Sequence, residues 1–436
     1  MEAIKIDYLT DRFNDLQSSK AEGMLTDIRK EGFRSFNKIG VPTARNEEWR
    51  FTSVHALFDK EYLLDAADGK ISAAAVDAVR VPGFENANEI VFLNGRYSAA
   101  HSTIRSAAGE CSILPLEEAA SGRFKELVRE HLNKSSLVVQ DGIQALNTSF
   151  IQGGVFIHVN KDRVLPHAIY IYYITDTSSN HRLVQPRSLV FVDQSSKVQL
   201  VESFATVGAM DSFTNGVMEV VLNDNAIVEY YKVQNDVTHA SQVTTTHIRQ
   251  IGKSYVHAVT VSLDGGLIRN NMNVIMEAEG NESHLYGLYL LRGATHVDNH
   301  TLVDNRKPNC FSNEFYKGIL NERSSGVFSG KIFVRPDAQK TNAYQSNKNI
   351  LLSEHATVNT KPQLEIFADD VKCSHGCTIG QLDEEALFYL RTRGISKAHA
   401  QSMLLGAFAQ DVVMQIKHEP LRNYVDNLIF KRLSID

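Results

Sequence analysis

Cysteine is scarce in this 436-residue chain. Its four residues, Cys111, Cys310, Cys373 and Cys377, are too few for the disulfide framework of a small secreted fold and point to a reducing, cytoplasmic setting. Long apolar runs are missing too. None approaches the roughly 18 residues of a membrane span, and the acidic stretch MEAIKIDYLTDRF at the N-terminus has no apolar core of a secretory signal. Excess positive charge is also absent: the formal net charge is -6, which argues against bulk attraction to nucleic acid or to an anionic membrane. The chain has no GxxxxGK[ST], GxGxxG, HExxH or GxSxG run. It is therefore not expected to hydrolyse ATP itself, and any nucleotide energy comes from a partner. Tryptophan occurs once, as Trp49 in NEEWRFTSV, and reads as a core anchor.

What is present is the composition of an ordinary globular protein, 43% hydrophobic and 22% charged, long enough for about two to four domains. Residues 1–150 read as a helical and α+β region. Tyr8, Phe13, Leu16, Met24, Leu25, Ile28, Phe33, Phe36 and Ile39 recur at helical spacing, followed by a strand at Ile90–Leu93 with its Asn94-Gly95 turn and a helix over Gly122–Leu132. Residues 151–382 change character to short strands rich in Val, Ile, Tyr and Thr. Turn centres near Asp193, Asn223, Gly252 and Gly280 recur every 28 to 30 residues, and a period of this size with strands in every unit predicts a solenoid. The later turns, Asp304–Pro308 and Asn321–Gly326, fall closer together and suggest that the solenoid narrows or is interrupted. Residues 383–436 read as helical. Asp383 and Ser396 are the caps, and Ala400, Leu404, Leu405, Phe408, Val412 and Ile416 form a wide apolar stripe. That stripe docks either on the solenoid's own end or on another protein, and Leu404, Leu405, Phe408 and Val412 are the candidate partner-binding residues.

Chemistry concentrates in VKCSHGCTIGQ. Cys373, His375 and Cys377 alternate, so in a strand they share one face. Cys373 and His375, about 6.6 Å apart along the backbone, can share an ion, whereas Cys373 and Cys377, about 13 Å apart, can do so only if Gly376 bends the strand. Two donors leave a metal site incomplete, so the rest would come from elsewhere in the fold or from another chain. The plainer reading is a packed strand with small buried thiols. In HVDNH, His296, Asp298 and His300 also alternate, and an outward polar ladder is the simpler account of them. A groove enzyme acting on carbohydrate is the alternative function, with Asp264, Asp298 and Asp304 as available carboxylates; nothing in their spacing shows convergence.

Several long segments resemble the SufB/SufD family of iron-sulfur cluster assembly scaffolds: LEIFADDVKCSHGCTIGQLDEEALFYLRTRGIS, the AQSMLLGAFAQDVV helix, HTLVDNRKPNCFSNEFYKGIL, GVFSGKIFVRPDAQKTNAYQSNKNILLS and NEEWRFTSV. The EEWRFT and CSHG runs are more similar to the SufD branch. The resemblance implies a mainly β protein, with a right-handed parallel β-helix core, an N-terminal α+β segment and a C-terminal helical domain. It implies a non-catalytic scaffold that pairs with a SufB-like paralogue, binds the ABC-type ATPase SufC through its C-terminal helices, and contributes His375 and Cys373 to a transient iron-sulfur cluster at the interface. Cys377 stands where the family commonly has a small residue such as Ala; it is either an accessory thiol or a buried replacement. The family context also allows a reduced flavin in the complex, with no cofactor expected on the isolated chain. Exposed strand edges and apolar helices both seek cover, which allows a homodimer when the partners are absent.

Overall fold

The computed structural model describes residues 6–19, 23–64 and 71–434. Strand after strand lies parallel to the one a full coil earlier, in two facing sheets. One sheet runs from Asn88–Leu93 through Ile169–Asp176 and Lys197–Val207 to Lys372–Gly380; the other runs from Val155–Val159 to Thr357–Ile366. Along the first sheet, partners in register are 30, 28, 27, 29, 31 and 30 residues apart from Lys197 to Lys372. This is the β-solenoid that the turn spacing predicts.

Left-handed backbone recurs at most of the coil turns, at Ser195, Asn225, Gly280, Asn309 and Lys340 on one edge and at Gly293 and Glu322 on the other. The solenoid therefore has two turns per coil, and this corrects the expectation of narrowing. Asp304–Pro308 and Asn321–Gly326 are opposite edges of one uninterrupted coil, which is why they lie closer in sequence than turns on the same edge.

Alternate residues face inward. At the N-terminal end the interior is apolar, with Ile90, Phe92, Val155, Ile157 and Ile169 all fully buried. Further along it holds polar groups that satisfy one another, such as Lys232 near Glu202 and Asn349 donating to Asn347. Strands such as Ser212–Leu222 are buried on both faces because helices cover the outside, and their polar members Ser212, Thr214, Asn215 and Glu219 are buried with the apolar ones.

The helical character over residues 1–40 is divided between α1 (Asp7–Ser18) and α2 (Met24–Ile39), with residues 1–5 and 20–22 outside those described. The N-terminal region also supplies the strand Asn88–Leu93 to one sheet, and Cys111–Pro115 pairs antiparallel with Val155–Val159 in the other. After three short helices, α3 (Ala73–Asp77), α4 (Leu116–Ser121) and α5 (Lys125–His131), comes α6 (Gly142–Ser149), buried along its whole length. At the C-terminus lie α7 (Glu384–Thr392), α8 (Lys397–Val413) and α9 (Glu419–Leu433).

The last two helices do not cap the solenoid's end. They lie on the outer face of a sheet, where Leu405, Ala409, Val412, Val413 and Ile416 pack with Val233, Val259, Leu288 and Ile319. Each large side chain so buried contributes about 1.5 to 3 kcal/mol. Polar contacts fix the register: Lys317 Nζ donates to Phe408 O at 2.9 Å, Arg432 Nη1 to Asp264 Oδ2 at 2.5 Å, and His257 Nε2 lies 2.6 Å from Gln415 O. No described helix is long and apolar enough to cross a membrane.

Candidate functional site at the open end of the solenoid

With the helices on its flank, the solenoid ends on the strand Lys372–Gly380. This strand is paired on one side only, with Asn342–Leu351. An edge strand presents a row of unpaired backbone donors and acceptors. Parity decides which side chains share a face: Ala343, Gln345 and Asn347 point into the solenoid and are 0 to 3% exposed, and their register partners are Cys373, His375 and Cys377. These three therefore continue the inward row, and no further coil covers them.

Their surroundings differ. Cys373 is half-buried against a cluster of Ile332, Val334, Ala338 and Ala343. Burial pushes its thiol up, only partly opposed by the Ala343 backbone hydrogen bond, so it is protonated at neutral pH. His375 and Cys377 are exposed. Gly376 lies within a continuous strand, so the bend that would let Cys373 and Cys377 meet at one ion is absent. Among the described residues no three His, Cys, Asp or Glu side chains gather to hold a metal. Cys111 and Cys310 are buried elsewhere, and burial raises both thiols.

Apolar residues surround the open end: Phe367 is 58% exposed and Ile379 50%. Leu404 and Phe408 line a neighbouring cavity of about 340 Å³ with Ile350, Ile379 and Leu382. Leu405 and Val412 do not face outward. They are 6% and 0% exposed and belong to the packing of α8 on its own sheet, which corrects their reading as partner-facing residues. The free side of the helix pair is a groove of about 710 Å³ between α8 and α9, lined by His399, Met403, Ala407 and Phe430 among others. Phe430 is 69% exposed and Met403 46%. The apolar spacing of α8 could not reveal this surface, because a stripe shows that a face is covered and not by what.

HVDNH lies on the outer face of the other sheet, under the NEEWRFT segment. Arg269 donates to Asp298 at 2.7 Å, His300 Nε2 stands 3.0 Å from the same carboxylate, and Trp49 lies under Arg269 with its ring 3.8 Å from the guanidinium. The ladder is structural: it clasps the N-terminal region to the solenoid. The three carboxylates of the carbohydrate reading do not converge. Asp264 pairs with Arg432 and Arg292, Asp298 with Arg269, and Asp304 with Arg335 and Arg306.

Residues 173–408 match the family described as SUF system FeS cluster assembly, SufBD core domain, and residues 5–171 match the SufBD protein N-terminal region. An iron-sulfur cluster assembly SufBD family protein of Synechocystis sp. is 30% identical over 412 residues, covering 92% of this chain and 89% of that protein. The iron-sulfur cluster assembly protein SufD of Escherichia coli is 27% identical over 405 residues, 91% and 90%. SufD of Bacillus subtilis is 25% identical over 367 residues, 80% of each.

Proposed function

Since the chain belongs to the SufBD family of iron-sulfur cluster assembly proteins, we propose that it is a non-catalytic, cytoplasmic scaffold subunit whose open solenoid end pairs with a SufB-like paralogue and supplies His375 and Cys373 to a nascent cluster. The observation that carries this reading is the uncapped last strand. Its row of one imidazole and two thiols faces the space that a next coil would fill. Imidazole and thiolate both ligate iron, and an edge strand recruits a second chain through its backbone. Here the cluster is cargo, and the remaining ligands come from the paralogue. The groove between α8 and α9, with Met403 and Phe430 exposed, is the surface for a SufC-like ATPase, since the opposite side of α8 is occupied by the chain's own sheet.

The experiment reconstitutes the chain with its paralogue and ATPase. Replacing His375 by Ala should abolish cluster formation while the complex still assembles. Phe430→Asp should release the ATPase without lowering the chain's own stability. An unchanged cluster yield in H375A would overturn the assignment of the site.

A further inference from the structure

His375 does not end its row alone. One coil inward, in register with it, is Gln345, and one coil further in is Glu314. All three are on inward-facing positions, and neighbouring strands stand about 4.8 Å apart. Gln345 is 3% exposed and Glu314 fully buried. Thr301 Oγ1 donates to Glu314 Oε2 at 2.5 Å, and Gln345 Nε2 donates to the same oxygen at 3.2 Å. Gly330 makes room for this amide: a Cβ there would come within 2.3 Å of Gln345 Nε2.

An amide whose NH₂ is committed to Glu314 keeps its carbonyl oxygen for a different donor. Among the described residues Gln345 Oε1 has no hydrogen-bond partner, although buried oxygens of this kind are almost always paired. The next side chain along the inward row is the imidazole of His375.

We propose that Gln345, oriented by Glu314 and Thr301, is the positioning residue for His375: when the exposed imidazole turns inward, Gln345 Oε1 accepts its N–H and so leaves the other ring nitrogen as the lone pair for iron. This deepens the proposed function and rests on His375 being a ligand. Histidines that bind metals usually give their second N–H to such an outer partner, which fixes tautomer and ring orientation, and loss of that partner costs about 10- to 100-fold in metal affinity or activity. Gln345 is the acceptor the fold provides.

The test uses the full-length chain with ¹⁵N-labelled histidine, the His375 ring signals being assigned by their loss in H375A. Two-bond ¹⁵N–¹H correlations read the tautomer ratio. The native ratio is expected to differ at least threefold from that of a histidine in an unstructured peptide. Gln345→Leu should return it to the peptide ratio, and Gln345→Glu, which keeps an acceptor, should not. Gln345→Met, of similar length, serves as the second apolar variant if the leucine variant fails to fold. In the reconstituted complex Q345L should lower cluster yield about tenfold and Q345E much less.

A native ratio equal to the peptide's, or one unmoved by Q345L and Q345M, overturns the inference whatever the cluster yield. If the ratio responds as stated but H375A assembles clusters normally, the proposed function fails and the hydrogen bond stands.

Discussion

Asp298 is the point at which the N-terminal clasp is most exposed to a single substitution. The carboxylate is 1% exposed and holds Arg269, 3% exposed, at 2.7 Å; Thr52 Oγ1 donates to it at 2.5 Å and His300 lies 3.0 Å away. Burial alone would raise its pKa, but His300, Arg269 and these hydrogen bonds outweigh burial and hold the carboxyl well below the usual carboxylate range. Asp298→Asn keeps the shape and removes the charge. Arg269 is then a buried cation without its counter-ion, a loss worth about 3 to 5 kcal/mol. Trp49 reports it directly, because it is the only tryptophan, is 1% exposed, and lies 3.8 Å under the Arg269 guanidinium. In a denaturant titration D298N should show the Trp49 emission shifting to the red well before the far-ultraviolet signal of the strands is lost. Adding Arg269→Met should recover part of the loss, because the unpaired cation is gone. The depressed carboxyl also fixes the sign of the pH effect. Its contribution is present above the unfolded carboxylate pKa of about 4 and is lost as the pH falls further, so D298N should lose less than the native chain on acidification. A D298N chain whose fluorescence and strand transitions coincide, within about 1 kcal/mol of the native midpoint, would refute this account of the clasp.

The four thiols should separate by burial. Iodoacetamide followed by peptide mass analysis is expected to modify exposed Cys377 first and half-buried Cys373 more slowly, with Cys111 and Cys310, 4% and 1% exposed, reacting only in denaturant; early loss of Cys310 would contradict the core packing. Glu314 should make the chain less stable as the pH rises. Burial pushes its carboxyl up to about 7, against the hydrogen bonds from Thr301 and Gln345, so between about pH 4.3 and 7 the folded chain keeps a proton that the unfolded chain has released, a loss on the order of 3 kcal/mol. Denaturant midpoints at pH 5 and pH 8 should show this slope in the native chain and a weaker one in Glu314→Gln; equal slopes would sink the assignment.

The solenoid was legible because its turns recur at a nearly constant interval and its strands carry no helix between them. The same turns misled where they fell close together. Sequence does not mark which edge a turn belongs to, and Asp304–Pro308 and Asn321–Gly326 sit on opposite edges of one coil. The destination of α8 was illegible for a related reason. Val233, Val259, Leu288 and Ile319 face outward, while the inward neighbours Lys232, Gln234, Thr260 and Ser262 are polar, so the alternation runs opposite to the usual apolar-in, polar-out pattern and does not show which parity is the interior. Cys373, His375 and Cys377 could be grouped from parity alone. Gln345 and Glu314 could not: they lie 30 and 61 positions before His375 in the chain, and only the register brings them under it.

A solenoid needs something at its ends, since an open coil leaves both interior side chains and backbone groups unpaired. At the N-terminal end that need is met by the helices and the antiparallel strand Cys111–Pro115, and the interior there is Ile, Val and Phe. At the other end the helices are placed on the flank, and beside the small apolar cluster of Ile332, Val334, Ala338 and Ala343 the interior carries Glu314, Gln345, Asn347 and Asn349, joined to Tyr289, whose hydroxyl accepts from Asn347 at 3.0 Å. The two differences belong together. An apolar column left open would present a sticky face to water, whereas a column of amides and a carboxyl tolerates water when bare and can exchange it for donors and ligands when covered. Polar interior rows are therefore what allow this end to remain uncapped, and the uncapped end is what leaves His375 within reach of a second chain.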